Sequence, residues 1–149
     1  MIDFKIFATN HTSFTVSNLD KIIALFSEAL GFDLLDRRSL DPAFTESVVG
    51  VPGAVIERAF LQGPGHRLEL IQYHAPDDRK RLDARPCDTG FAHIAFDVDD
   101  IDAVLAAVAN YGLKPLNPPQ DLAVGQNKGG KVVYTRDADG ITVEFMQRP

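Results

Sequence analysis

The stretch that decides the fold is an apolar run that opens near a histidine and ends in aspartates: Gly90-Phe91-Ala92-His93-Ile94-Ala95-Phe96-Asp97-Val98-Asp99-Asp100. Such a run is typical of a buried strand that leads into the start of a helix. A similar stretch stands near the N-terminus: His11-Thr12-Ser13-Phe14-Thr15-Val16-Ser17-Asn18-Leu19-Asp20. When His11 is set on His93, Phe14 falls on Phe96 and Val16 falls on Val98. The chain therefore repeats one unit, and a histidine opens each copy.

The first copy continues as a strand, a helix and three further strands. We predict a strand over 6–16, a helix from a Ser17 cap to Gly31, and strands near 33–37, 54–61 and 67–74. Between the second and third strands, 42–50 is expected to be irregular or a short helical turn.

The second copy follows the same order. We predict a strand over 91–98, a helix from an Asp99 cap to Gly112, and strands near 113–116, 131–136 and 141–147. We expect one α+β domain over residues 1–149, with a first module over about 6–75, a linker over about 76–89 and a second module over about 90–149.

Composition excludes several classes of protein. The 149 residues are 45% hydrophobic and 24% charged, as in an ordinary globular chain. A net charge of −6 argues against nucleic acid or an acidic membrane as a partner. Residues 1–5 lack the plan of a secretory signal, and the single cysteine, Cys87, cannot form an internal disulfide. We therefore expect a cytoplasmic protein with no nucleic-acid or membrane partner.

Each copy also carries a glutamate between large apolar residues on its last predicted strand. These are Glu69, in Leu68-Glu69-Leu70, and Glu144, in Val143-Glu144-Phe145. His11, Glu69, His93 and Glu144 thus occupy equivalent places in two equivalent modules. A lone histidine or glutamate on a strand is usually a packed or solvent-facing residue. The symmetric placement of all four is harder to explain by packing alone, and if the modules pair, the four side chains can converge.

Two neutral imidazoles and two carboxylates balance the charge of a divalent cation. Mixed nitrogen and oxygen donors suit Zn, Ni, Co, Mn or Fe better than Ca. A small substrate with neighbouring oxygens could bind such an ion, which would stabilise an enediolate while a carboxylate takes a C–H proton. His66 and His74 have no counterpart in the repeat and are interpreted as ordinary packed or surface residues.

Five motifs resemble those of the glyoxalase, or vicinal oxygen chelate, superfamily. They are His11-Thr12, Phe26-Ser27-Glu28-Ala29-Leu30-Gly31-Phe32, Leu68-Glu69-Leu70, Gly90-Phe91-Ala92-His93-Ile94-Ala95-Phe96 and Asp137-Ala138-Asp139-Gly140-Ile141-Thr142-Val143-Glu144. The resemblance implies two pseudo-twofold-related βαβββ modules, each a curled mixed sheet, around a metal-lined cavity. It also implies that His11, Glu69, His93 and Glu144 bind the metal. The catalytic base is then expected to be Glu144, with Glu69 as the second carboxylate.

Three activities stay open under this resemblance. The first is a metal-dependent lyase, isomerase or epimerase, although Thr15 and Tyr73 stand where glyoxalase I has an arginine and an asparagine that contact glutathione. The second is an Fe(II) extradiol-type dioxygenase, and the third is a non-catalytic protein that binds an antibiotic or toxin. Arg37, Arg38 and Lys128 are candidates to contact an anionic substrate, although surface charge explains them more simply. A homodimer is expected, and the modules can pair within one chain or across two chains.

Overall fold

In the computed structural model, which describes residues 3–149, the chain divides into two units, Met1–Asp77 and Asp78–Pro149. Each unit is a mixed β-sheet with a helix after its first strand. The predicted α+β class is therefore confirmed. The division into one domain with two modules and a linker at 76–89 stays a prediction.

The first unit has four strands and two helices. In chain order they are β1 (Thr12–Thr15), α1 (Leu19–Ala24), β2 (Asp33–Ser39), α2 (Pro42–Val49), β3 (Val55–Gly63) and β4 (His66–Ala75). Helix α1 continues as a π-helical turn over Leu25–Ala29, and Gly31 follows with the positive φ of 71° that a helix end favours. The strand order is β1-β4-β3-β2, and β1 is parallel to β4 while the other pairs are antiparallel.

The period of two along β4 separates a core face from an open face. Leu68 and Leu70 are fully buried, whereas Arg67 and Glu69 are half-buried on the opposite face. The core side is completed by the apolar face of α1 and the turn after it, with Leu19, Ile22, Leu25 and Phe26 all buried. Each such side chain contributes about 1.5–3 kcal/mol when it leaves water. Glu69 therefore stands on a rigid sheet whose other face is anchored in the core.

The second unit repeats this architecture. Its elements are β5 (Ile94–Val98), α3 (Ile101–Ala109), β6 (Lys114–Pro115), β7 (Gln120–Asp121), β8 (Lys131–Arg136) and β9 (Thr142–Gln147). The order β5-β9-β8-β6 matches that of the first unit, and β5 is parallel to β9. Strand β7 is a short addition that pairs with β8. Val143 and Phe145 are buried on one face of β9, which leaves Glu144 on the other.

A glutamine three residues after each predicted ligand glutamate ties the sheet to the helix. The side chain of Gln72 accepts a hydrogen bond from the Leu19 amide at 2.6 Å. The side chain of Gln147 does the same for the Ile101 amide at 2.9 Å. Each bond satisfies an amide of the first helical turn, which has no partner inside the helix. The last strand and the first helix of each unit are therefore fixed to one another in the same way.

Several predicted boundaries were wrong. The helices are capped by Asn18 and Asp100, one residue later than predicted, because these side chains accept from the Lys21 and Ala103 amides. The first strand covers only Thr12–Thr15 of the predicted 6–16, since residues before Thr12 find no neighbouring strand in the described chain. The 42–50 segment is a regular helix, capped by the Asp41 side chain.

No helix in residues 3–149 is long and apolar enough to cross a membrane.

Candidate active site

A matching hairpin carries the glutamate in each unit. In the first unit β3 and β4 pair so that Phe60 lies directly opposite Glu69. In the second unit β8 and β9 pair so that Tyr134 lies directly opposite Glu144. Residues directly opposite each other share one face of a sheet, so each glutamate has an aromatic neighbour on its own face.

His11 and Glu69 form the polar pair of the first unit. His11 immediately precedes β1, and its Nε2 atom lies 3.2 Å from Oε2 of Glu69. Its ring packs edge-on against Phe60, with ring centroids 5.4 Å apart. The other ring nitrogen, Nδ1, lies 2.7 Å from Oδ1 of Asn10. Because this amide oxygen can only accept, it favours a proton on Nδ1 and leaves Nε2 with the lone pair that a metal needs.

His93 and Glu144 form the equivalent pair of the second unit. His93 immediately precedes β5, and its Nε2 atom lies 2.9 Å from Oε2 of Glu144. The hydroxyl oxygen of Tyr134 is 3.3 Å from the same Nε2 atom, and the two rings have centroids 4.9 Å apart. In both pairs the carboxylate side chain is 14% exposed and the imidazole about twice as exposed, at 31% and 33%. The glutamates are thus held by the sheet, and the imidazoles remain open to an incoming group.

The Tyr134 hydroxyl is kept protonated by its surroundings. Burial raises the pKa of Tyr134, and the charge of Glu144 and its hydrogen bond with the hydroxyl raise it further. At neutral pH the residue is therefore a neutral phenol. It acts as a hydrogen-bond donor beside the carboxylate.

The spacing within each pair fits two ligands of one metal ion. Metal–nitrogen and metal–oxygen bonds of about 2.0–2.2 Å place adjacent donors roughly 2.9–3.5 Å apart. The observed nitrogen-to-oxygen distances are 3.2 Å and 2.9 Å. Across residues 3–149 no group of three or more His, Cys, Asp or Glu side chains is close enough to hold a metal ion. Each unit therefore presents two of the four predicted ligands, and the four-ligand centre stays a prediction.

A cavity adjoins Glu144 within the second unit. Its volume is about 340 Å³, within the range of small-molecule sites. It is lined by Pro86, Leu116, Asn117, Pro118, Gln120, Val132, Val133, Tyr134 and Glu144. The mainly apolar lining places the phenol and the carboxylate in a setting of low polarity, where their interactions are stronger than in water.

Two of the basic residues suggested as anion contacts are already engaged with carboxylates. Arg37 bonds to Glu57 at 2.7 Å and also pairs with Asp20. Arg38 forms a bidentate contact with Asp36, its Nε atom 2.8 Å from Oδ2. Lys128 is exposed in the loop before β8.

The two unmatched histidines have local partners. His66 joins β4 to β1 through a 2.8 Å contact between its Nε2 atom and the Thr12 hydroxyl. His74 lies 3.7 Å from the Glu57 carboxylate on the neighbouring strand. Each of these two histidines therefore contacts a residue on a neighbouring strand of its own sheet.

Sequence reasoning did not identify Asn10 or Tyr134. A partial signal for Tyr134 was present, because Asp139-Gly140 marks the turn of the last hairpin. The register that places Tyr134 opposite Glu144 is set by a loop of three residues, 138–140, which the Asp-Gly pair alone does not specify. For Asn10 there was no comparable signal, since its contact depends on how an irregular segment folds.

Comparison with known proteins assigns the family. A family model described as the Glyoxalase/Bleomycin resistance protein/Dioxygenase superfamily matches residues 8–145. The chain belongs to this superfamily. The match spans both modules and all four predicted ligands, so the resemblance drawn from the sequence motifs is confirmed.

Some relatives of this chain in the superfamily are named as enzymes. A 2-epi-5-epi-valiolone epimerase from an Actinomyces species is 32% identical over 147 residues, which cover 95% of this chain and 80% of the relative. A probable lactoylglutathione lyase from Vibrio parahaemolyticus is 30% identical, with 92% of this chain and 88% of the relative covered, and a lactoylglutathione lyase from Pseudomonas putida is 24% identical, with 95% and 85% covered. The chain is therefore similar to members that are named for two different reactions.

Solved structures of the superfamily share the fold. A glyoxalase family protein from Bacillus cereus has a TM-score of 0.84 at 23% identity, with 99% of this chain and 98% of that chain covered. A fosfomycin resistance protein from Listeria monocytogenes, complexed with Mn(II) and sulfate ion, has a TM-score of 0.65 at 16% identity, with 97% and 95% covered. At these identities the likeness concerns the fold.

Proposed function

We propose that this protein is a divalent-metal-dependent epimerase, or a closely related isomerase or lyase, that removes a proton next to a carbonyl group. The observation that carries the proposal is the pair of His–Glu sets, at the same place in two modules of the same topology. Their nitrogen-to-oxygen distances of 3.2 Å and 2.9 Å suit adjacent ligands of one ion.

We assign the metal to His11, Glu69, His93 and Glu144. Two donors are too few for a stable protein site, since such sites take at least three protein ligands. The two pairs would therefore complete one centre, either within a chain or across a homodimer. A divalent ion bound there would supply Lewis-acid stabilisation of the negative charge that develops on the substrate oxygens.

Two carboxylates of the chain then carry out the two steps of the proton transfer. Glu144 takes the C–H proton, because its carboxylate adjoins the cavity and faces the Nε2 atom of His93 at 2.9 Å. Epimerisation returns a proton to the opposite face of the same carbon, and Glu69 is the second carboxylate available to carry it. The Tyr134 phenol lies opposite Glu144 on the neighbouring strand, 3.3 Å from the Nε2 atom of His93 that faces this carboxylate.

An epimerase is favoured over a lactoylglutathione lyase by two observations. The epimerase from Actinomyces is 32% identical to this chain, against 30% and 24% for the two lyases described above. In addition, Thr15 and Tyr73 occupy the positions of the expected glutathione contacts, and neither can grip a carboxylate as an arginine does. We propose that the substrate is a hydroxylated ketone whose neighbouring oxygens bind the ion.

The test combines metal analysis with proton exchange. Purified protein is analysed for metals, stripped with a chelator and reconstituted separately with Zn, Ni, Co, Mn and Fe(II). Each form is incubated in D2O with 2-epi-5-epi-valiolone and, separately, with the hemithioacetal of methylglyoxal and glutathione. Proton NMR then follows exchange at the carbon next to the carbonyl.

We expect metal-dependent exchange and epimer formation with the cyclic ketone, and little reaction with the hemithioacetal. Reaction only with the hemithioacetal would replace the epimerase by a lyase. Absence of metal binding after reconstitution would overturn the proposal and favour a binding protein. Oxygen consumption with catechols by the Fe(II) form alone would favour the dioxygenase.

A further inference from the structure

The open face of the first unit carries a concentration of arginines beside Glu69. Phe60 lies opposite Glu69, and Arg67 is two residues before Glu69 on β4, so these side chains share one face. Arg58, two residues before Phe60 on β3, lies on the same face. In a chain with a net charge of −6, such a grouping needs a specific explanation.

The side chains of this group pack against the ring of Phe60. The guanidinium carbon of Arg58 lies 4.2 Å from the centre of the Phe60 ring, and that of Arg67 lies 5.6 Å from it. The His11 ring packs against the edge of the same phenyl group. Cation–π contact and burial of the side-chain stems hold the two guanidinium groups in place beside the predicted ligands.

Carboxylates on this face do not satisfy both arginines. Arg58 bonds to Asp36 at 2.8 Å and lies 4.0 Å from Glu69, but Asp36 is shared with Arg38. Arg67 makes no ion pair or hydrogen bond with its side chain among the described residues. The face thus holds three guanidinium groups and two carboxylates.

Unsatisfied donors point to the same two residues. In residues 3–149, the buried side-chain nitrogen and oxygen atoms that lack a hydrogen-bond partner are Nε of Arg58, Nε of Arg67 and Nη2 of Arg136. Native proteins rarely leave such atoms unpaired, and a buried charge without a counter-charge is costly. Two of the three atoms lie on the face that carries Glu69. A planar guanidinium is also the group that best matches the oxygens of a carboxylate or phosphate.

We propose that Arg67, supported by Arg58, forms an anion-binding subsite beside the His11–Glu69 pair, and that the substrate carries a carboxylate or phosphate group that binds there. The subsite depends on the proposed function in one respect only. The proposed reaction uses Glu69 as a metal ligand, and this assignment places the reacting carbon of the substrate near Glu69. Two residues along a strand span roughly 6–7 Å, which sets the separation between the anionic group and the oxygens that bind the metal. The subsite is expected to lower the KM of an anionic hydroxy ketone, such as a phosphorylated form of the cyclic ketone, relative to that of the neutral ketone used in the epimerase test.

The test uses inorganic phosphate and acetate as probes of metal-free protein, so that neither anion can bind a metal ion. Each is titrated while the Arg Nε–H signals are followed by NMR. We expect the Arg67 and Arg58 signals to shift, and Arg67→Met to weaken binding of the preferred anion roughly tenfold or more. Methionine keeps apolar contact with Phe60 but has no charge. Lys21→Met removes an exposed positive charge from α1, on the other side of the sheet, and is the control that is expected to leave the affinity unchanged.

The two probes identify the anionic group. Tighter binding of phosphate assigns a phosphorylated substrate, and tighter binding of acetate assigns a carboxylate. Unchanged affinity in Arg67→Met, or the absence of any shift in the native protein, would overturn the subsite. If Arg67→Met does not fold, Arg67→Lys serves instead and is expected to weaken binding less. The titration measures binding and involves no turnover, so its result does not depend on whether the protein is an epimerase. Conversely, turnover of a neutral ketone would support the epimerase proposal even if the anion-binding subsite were shown to be wrong.

Discussion

The hydroxyl oxygen of Tyr134 lies 3.3 Å from Nε2 of His93, the same ring atom that faces Glu144 at 2.9 Å. The equivalent position in the first unit holds Phe60, whose ring contacts His11 without offering a donor. The aromatic position is thus common to both hairpins, whereas the phenol is particular to one. The second unit therefore has a hydroxyl group beside its His–Glu pair, at a position where the first unit has none.

Replacement of the phenol tests whether this hydroxyl group contributes to the reaction. We expect Tyr134→Phe to lower kcat about 10- to 100-fold with little change in KM, because the ring still packs while the His93–Glu144 pair loses the hydroxyl group beside it. The measurement is the rate of proton exchange at saturating ketone. Tyr111→Phe, at the end of α3, is the control. Equal losses of kcat in both variants would show that the phenol has no special part.

Glu144 is expected to be indispensable for proton removal. Glu144→Gln keeps the size of the side chain but removes its basicity, so the exchange rate should fall by about 10²- to 10⁴-fold. Metal content, measured by mass spectrometry on the same samples, separates loss of the base from loss of the ion. Glu28→Gln, on the exposed side of the π-helical turn, is the matched control. Exchange at the native rate in Glu144→Gln would transfer the role of the base to another residue.

The contact between Asn10 and His11 is expected to govern metal affinity. Asn10→Ala removes the acceptor that favours a proton on Nδ1, and the affinity should fall about 10- to 100-fold. Asn10→Asp restores an acceptor and should retain most of the affinity. Isothermal titration of the stripped protein with Zn provides the measurement. An unchanged affinity in the alanine variant would mean that the ring is oriented by its packing against Phe60.

Acid sensitivity of the first unit should depend on Glu57. The hydrogen bond from Arg37 lowers the pKa of Glu57 below its usual value. A lowered pKa in the folded state means that the pair stabilises the protein above the unfolded pKa, about 4.3, and that this contribution disappears as the pH falls through the folded value. Because the pair is partly open to solvent, its contribution is expected to be under about 1 kcal/mol.

Urea unfolding of the native protein and of Glu57→Gln measures this effect. The two stability curves should differ near neutral pH and converge in acid. Glu46→Gln, on α2, is the control and should leave the acid dependence as in the native protein. A constant difference between the two proteins at every pH would assign the effect to packing rather than to ionisation.

Much of the fold followed from the sequence because the decisive signals are local. The strand over 131–136 matches β8, and Gly31 and Gly112 end their helices with positive φ, as the helix pattern indicates. The caps were missed by one residue because Ser17 and Asn18, like Asp99 and Asp100, are neighbouring residues that can each cap a helix. Only the helix geometry decides which of the two accepts the amide three positions on.

The internal repeat of the sequence indicated the two His–Glu pairs of the candidate site, but not the residues around them. The repeat paired His11 with Glu69 and His93 with Glu144, and the structure places each pair within contact distance. The repeat gave no indication of which arginine side chains form ion pairs with carboxylates. Arg37 turned out to be engaged by Asp20 and Glu57, whereas Arg67 retains an unpaired charge. Such pairing depends on side-chain directions across several strands, which no local pattern encodes.

The duplicated hairpin allows one backbone arrangement to carry two different chemical groups. Phe60 and Tyr134 occupy the same position, opposite a glutamate, and both are only half-buried. A side chain at that position can therefore change in one unit without altering the hydrogen-bonded register of either hairpin. The two hairpins of this chain are alike in backbone and unlike in the group that stands beside the carboxylate.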